Sequence, residues 1–350
     1  MNRTIGAITK HADILHKNDP ANTKSQTMKA VRIHKYGGPE VLHYEDAPRP
    51  EPQAGEVLVR VHAAGVNPID WKVRQGHMKD FWPHKFPLIL GWDVSGTVEA
   101  VGPGPAAAGR FKIGDEVYSV LDVSRDGAYA EYVVVRESEL ALKPKSLHHV
   151  HAAAVPLAAL TAWQAFFDAG QLVSGQRVLI HGGSGGVGHI AVQLAKWKGA
   201  HVLATASTKN QELLRELGVD EPIDYTKQKF EDVARDVDLV LDLIGGETQE
   251  RSWSVLKNGG VLLSLVQPPS VEKAKALGVR AAFVAGHPSG AQLAEIAKLI
   301  DSGELKLTID RILPLSEVRR AQELSQSGHT RGKIVLRVRN GVGTFERKQS

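Results

Sequence analysis

The most constraining stretch of this chain is residues 177–209, RVLIHGGSGGVGHIAVQLAKWKGAHVLATASTK, where a glycine cluster joins segments of different hydrophobic period. Val178, Leu179 and Ile180 form a short apolar run; Ile190, Val192, Leu194, Ala195 and Trp197 recur at helical spacing; residues 201–204 are apolar again. Strand, tight turn, helix and strand within about thirty residues make one β-α-β unit, the length that a dinucleotide-binding fold requires. Inside the turn, Gly183, Gly185 and Gly188 form G-x-G-x-x-G. Gly183 is expected to permit the sharp exit from the strand, Gly185 to let the backbone approach a pyrophosphate, and Gly188 to allow close helix–strand packing. The following helix offers unpaired N–H groups and the positive end of its dipole to the phosphates.

The tip of the second strand bears on which dinucleotide is bound. An NAD site usually carries Asp or Glu about twenty residues after the turn, to hold the ribose 2′-hydroxyl. Here the sequence is Ala204-Thr205-Ala206-Ser207-Thr208-Lys209, with a hydroxyl and a cation in place of the carboxylate. Ser207 and Lys209 suit charge-assisted hydrogen bonds to a 2′-phosphate, so the expected cofactor is NADPH. The plainer alternative makes Ser207 the cap of a helix over residues 209–214 and Lys209 a solvated first-turn charge.

At 350 residues the chain has length for two cored domains. A net charge of +4 without a dense Lys/Arg block argues against nucleic-acid binding, and no apolar run reaches membrane-spanning length. The absence of cysteine excludes disulfides, thiol catalysis and thiolate–zinc sites. Residues 1–27 form a polar leader, expected to be disordered, with no secretory apolar core; Asp13 and Asp19 argue against a transit peptide, and the expected location is cytoplasmic. Residues 28–135 read as short strands punctuated by Gly and Pro, a β-rich, barrel-like domain. Residues 63–72 and 90–96 carry more chemistry than a turn needs. A helix-rich hinge follows at 151–169. Residues 221–225, 237–244, 260–266 and 279–284 are each expected as buried parallel strands, 292–300 as a helix and 331–338 as a last strand.

Several motifs stand in a fixed order: MKAVRIHKYGGPEVL, GVNPIDWKVRQG, LGWDVSGTVEAVG, GDEVY, GAYAEY, AAAVPLAALTAW, HGGSGGVG, ATASTK, IDYTK, DLIGG and GKIVL. On these the chain resembles the medium-chain dehydrogenase/reductase superfamily over residues 28–338, specifically its zinc-free quinone oxidoreductase branch and the NADPH-dependent alkenal/quinone reductases within it. The resemblance implies an α/β protein. A GroES-like β-rich catalytic domain (28–150) would precede a Rossmann doubly wound parallel-sheet domain (151–300), with residues 301–350 returning to the first domain. It also implies a site in the cleft between the domains and a homodimer.

The zinc-dependent branch is set aside on chemistry. Asn67 stands where that branch has a cysteine ligand and Trp92 where it has a histidine, so no metal is expected. The resemblance places Asn67 beside the nicotinamide ribose and substrate, Thr161 against the carboxamide, and Asp70 near the substrate end as an orienting or proton-relaying group. Gly186 and Val187 would hold the pyrophosphate, and Ser207, Lys209 and Tyr225 the 2′-phosphate. Ile244 and Gly245 would flank the adenosine, while Leu265, Phe283 and Val284 approach the nicotinamide. Trp92 is expected as a pocket wall, and His148, His149 and His151 as solvated histidines. The implied reaction is hydride transfer from NADPH to a quinone or an α,β-unsaturated carbonyl such as an enone or alkenal. The rivals are an NADPH-binding structural or sensor protein and an enoyl thioester reductase.

Overall fold

The structure, a computed structural model, describes residues 27–104 and 109–339. Three sheets organise it. Six strands form an all-parallel sheet in the spatial order Glu221–Asp224, His201–Ala206, Arg177–Ile180, Val237–Asp242, Leu256–Ser264, Arg280–Phe283. Numbered along the chain this is 3-2-1-4-5-6, the doubly wound order, whose crevice opens where the first and fourth strands lie side by side. Val178, Leu179 and Ile180 are buried because helices cover both faces, which is why a continuous apolar run makes a strand here.

The second sheet has seven strands and is centred on the long strand Glu56–Val66, which pairs antiparallel with Asp93–Val101, Tyr132–Arg136 and Lys333–Arg337. The last of these brings the end of the chain back to its beginning, with Ile334 opposite Val66. A three-stranded sheet, led by Thr27–Ile33, completes this β-rich half. The α/β architecture expected from the sequence is therefore the one observed.

Some expectations change. Thr27, assigned above to the leader, already belongs to the first strand; the leader's expected disorder otherwise lies outside the described residues. The segments at 221–225 and 279–284 do form parallel strands, but as the two edges of their sheet, so they are only partly buried and Phe283 is exposed. An edge strand lacks the neighbour that would cover it. Trp92 is no pocket wall: it is wholly enclosed in the core, with its indole N–H donating to the Arg125 carbonyl at 3.1 Å.

Candidate cofactor and substrate site

The glycine turn leaves the strand Arg177–Ile180 through Gly182, whose φ of +71° lies in the left-handed region. The sharp exit thus falls to Gly182 rather than Gly183. Gly183 is small for packing, since a Cβ there would stand 2.9 Å from the Ala204 side chain. At Gly188 a Cβ would meet the Gly182 carbonyl oxygen at 2.1 Å, so the helix Gly188–Trp197 can begin this close only with glycine. At Gly185 the one heavy atom within 4 Å would be the Gly182 carbonyl oxygen at 3.3 Å, a looser fit than at Gly183 or Gly188. The buried His189 steadies the turn by donating from Nδ1 to the Gly185 carbonyl at 2.9 Å. Burial pushes its pKa down to about 4, which keeps the ring neutral.

A cavity of about 310 Å³ runs along this turn. Of the residues singled out in the sequence, Asn67, Gly185, Gly186, Val187, Gly188, Ser207, Lys209, Tyr225 and Ile244 line it. At its outer end Ser207 holds the N-cap position of the 3₁₀ segment Thr208–Asn210 without a side-chain capping bond; its hydroxyl accepts from Asn210 Nδ2 at 3.2 Å. The alternative reading of Ser207 as a side-chain cap is thus not formed. The nearby carboxylate, Asp224, has its oxygens taken by the Thr208 and Thr226 hydroxyls, each at 2.6 Å. These hydrogen bonds hold its pKa below the usual carboxylate value. Asp242 similarly fixes the turn behind Ile244 by accepting from the Ile244 and Gly245 N–H groups at 3.0 and 2.8 Å.

The inner end is a buried knot that the sequence did not reveal. Lys333, only 3% exposed, crosses the glycine turn with its stem beside Gly186 and donates to the Asn67 side-chain oxygen. Asn67 Nδ2 donates to Asp93 Oδ2 at 2.8 Å; Asp93 Oδ1 accepts from the Leu157 N–H at 2.7 Å, and Lys333 Nζ lies 3.5 Å from Asp93 Oδ2. Burial pushes the Asp93 carboxyl up, with Lys333 and Asn67 pulling against it. Three donors on one carboxyl group are the hydrogen-bond pattern of its ionised form.

The remaining predicted residues do not line the cavity. Asp70, expected at the substrate end, is fully enclosed as part of a capping box: Oδ2 accepts from the Asn67 N–H at 2.7 Å and from the Tyr129 hydroxyl at 2.6 Å. Oδ1 has no protein partner, and burial raises the pKa to about 7. Thr161 lies on the helix Pro156–Trp163 and donates to the Leu157 carbonyl at 2.6 Å. Gly245 and Gly183 shape the backbone behind the cavity, while Leu265, Phe283 and Val284 sit at the ends of the outer strands. His149 is not solvated: it stacks on His62 at 4.2 Å between centroids, bonds Ser95 Oγ at 2.8 Å, and is pushed to about 4 by burial. Among the described residues no three His, Asp or Glu side chains converge as metal ligands.

Comparison with known proteins supplies independent findings. The family described as "Alcohol dehydrogenase GroES-like domain" matches residues 53–145, and that described as "Zinc-binding dehydrogenase" matches 217–336. The chain is 38% identical to the mitochondrial NAD(P)H oxidoreductase RTN4IP1 of Mus musculus over 91% of each chain. It is 33% identical to the chloroplastic quinone-oxidoreductase homolog of Spinacia oleracea, covering 89% of this chain and 99% of that one. Among solved structures, the quinone oxidoreductase of Coxiella burnetii superposes with a TM-score of 0.82 at 36% identity, over 90% of this chain and all of the other. The mouse and spinach relatives overturn the expectation of a cytoplasmic protein, since they are named as mitochondrial and chloroplastic. That expectation rested on a polar leader without a secretory apolar core and on Asp13 and Asp19, none of which specifies a compartment.

Proposed function

The chain belongs to the medium-chain dehydrogenase/reductase superfamily, in its quinone oxidoreductase branch, as a nicotinamide-dependent oxidoreductase; on that premise we propose that it is a zinc-independent NADPH reductase of quinones or α,β-unsaturated carbonyls. The observation that carries this reading is one cavity with a cation and hydroxyls at its outer end, a glycine turn along its length, and Asn67 with Lys333 at its inner end. When bound, NADPH supplies a hydride from C4 of its nicotinamide. The chain's own residues do the rest. Ser207, Lys209 and Tyr225 receive the 2′-phosphate, and the N–H groups around Gly185, Gly186 and Val187 receive the pyrophosphate. Asn67, at the inner end, would face the nicotinamide.

Zinc independence is supported by what occupies the inner end. Asn67 and Lys333 are hydrogen-bonded to each other there, and an amide with an ammonium makes a poor metal ligand set. An acceptor that is already electrophilic needs no Lewis acid. The proposed assembly is a homodimer.

Stopped-flow loss of nicotinamide absorbance, with one panel of quinones and one of alkenals and enones, tests the function. At least one panel is expected to consume NADPH well above the buffer rate. Tight NADPH binding with no turnover in either panel would instead favour a structural or sensor role.

A further inference from the structure

We propose that Lys333 is the positioning residue that turns Asn67 into an electrophilic donor: by binding the Asn67 carboxamide oxygen, its ammonium strengthens the amide N–H that faces the oxygen of the bound acceptor. The inference rests on the reductase reading above and adds to it the group that stabilises negative charge on the acceptor.

The geometry leaves little freedom in the roles. Lysine only donates and a carboxylate only accepts, so the Asn67 oxygen must face Lys333 and its nitrogen Asp93. The amide nitrogen carries two hydrogens. One is used by Asp93; the other is available on a residue that lines the cavity. The two charged neighbours act in opposite senses. Asp93, accepting from one N–H, pushes electron density into the amide and weakens the second N–H as a donor. Lys333, bound to the oxygen, withdraws density and strengthens it, as linked hydrogen bonds polarise one another in a low-dielectric site. Without the lysine only the opposing push remains.

Lys333 is held for this role. The pairing of Ile334 with Val66 lays its strand alongside Asn67, the Val66 carbonyl lies 3.4 Å from Nζ, and Gly186 leaves room for the stem. When hydride adds to the β-carbon of an enone, or to a quinone, the electron pair moves onto the carbonyl oxygen. That oxygen then accepts the Asn67 N–H, water later supplies the proton, and the nicotinamide leaves oxidised. Lys333 transfers no proton; it contributes a fixed positive charge one hydrogen bond removed, where a metal would otherwise act directly.

The test compares wild type with Lys333→Met and Lys333→Arg by two measurements. The first is single-turnover hydride transfer along a series of acceptors of decreasing electrophilicity, with NADPH affinity measured separately. Lys333→Met, measured at saturating NADPH, is expected to slow transfer about 10- to 100-fold, with the loss growing toward the weaker electrophiles. Lys333→Arg is expected to restore most of the rate. The second is the Asn67 side-chain NH₂ signal in asparagine-labelled protein, assigned with Asn67→Ala, which is expected to move upfield in Lys333→Met without any acceptor. A rate loss equal across the series, a loss explained by NADPH affinity alone, or an unmoved NH₂ signal would overturn the proposal. If wild type reduces no acceptor, the reductase reading fails by itself and the NH₂ signal still decides whether Lys333 polarises Asn67. Should Lys333→Met not fold, Lys333→Gln keeps a neutral donor and removes only the charge, and the same two measurements decide on it.

Discussion

The two ends of the cavity are built on opposite physical terms. At the outer end the groups are wet: Tyr225 is 58% exposed and Lys209 stands in solvent. At the inner end Lys333 is 3% exposed, and Asp93 and Asp70 are fully buried. An exposed cation attracts a phosphate through water and is screened by salt, so it selects a ligand while contributing little to the fold. A buried ion pair is desolvated whether or not ligand is present, so its geometry is set at folding and it must be satisfied internally. On the proposed reading, one end discriminates and the other is preorganised.

The strongest attempt to break this contrast is Asp93→Ala. It leaves the Lys333 ammonium with only neutral hydrogen-bond acceptors, and the Leu157 N–H and one Asn67 N–H without their acceptor. Removing one partner of a buried pair costs about 3–5 kcal/mol, whereas an exposed substitution such as Lys209→Ala lies within about 0.5 kcal/mol. Urea unfolding of both variants measures the difference. If the two midpoints coincide, the inner end is no more structural than the outer.

A second prediction uses pH. Burial raises Asp70 to about 7 in the folded chain, from an ordinary value of 3.8. A raised carboxyl binds its proton more tightly when folded, so its contribution is fully present below about pH 4 and is lost as pH rises toward 7. The loss is on the order of 4 kcal/mol. Asp70→Asn keeps an acceptor for Tyr129 and the Asn67 N–H but cannot titrate. Unfolding free energies measured across that window are therefore expected to fall less steeply in the variant. Parallel curves would show that the folded protein does not hold Asp70 as an acid near neutrality.

The same contrast explains what was readable in the chain. Gly185, Gly188, Ser207 and Lys209 lie within one β-α-β unit, so local spacing carries their arrangement. Even there the tight turn was assigned to Gly183, though the adjacent Gly182 has the positive φ. Asn67, Asp93 and Lys333 meet only because Gly65 pairs with Asp93 and Val66 with Ile334 across three strands distant in sequence. No local period encodes that meeting. A faint signal did exist: a lysine opening the apolar run KIVL has to be satisfied somewhere, and Asn67-x-x-Asp70 has the spacing of a capping box. The enclosure of Asp70 was not readable, because it depends on Tyr129 arriving from another segment.

The smallest effects belong to the outer end and sharpen the contrast. Lys209→Ala removes a charged partner of the proposed 2′-phosphate and is expected to cost about 1.5–3 kcal/mol of NADPH binding, with NADH affinity little changed. Ser207→Ala removes a hydroxyl that carries no charge of its own, so its bond to the phosphate is expected to be worth about 1.5 kcal/mol, the lower end of the same range. Titration calorimetry at low and high salt separates the two mechanisms. An exposed charge is screened, so the Lys209 deficit shrinks as salt rises, while the Ser207 deficit depends on contact geometry and stays nearly constant. Equal losses for NADPH and NADH in Lys209→Ala would mean that this lysine does not read the phosphate. A Lys209 deficit insensitive to salt would mean that the outer end is as desolvated as the inner one, and the two would then differ in position rather than in physics.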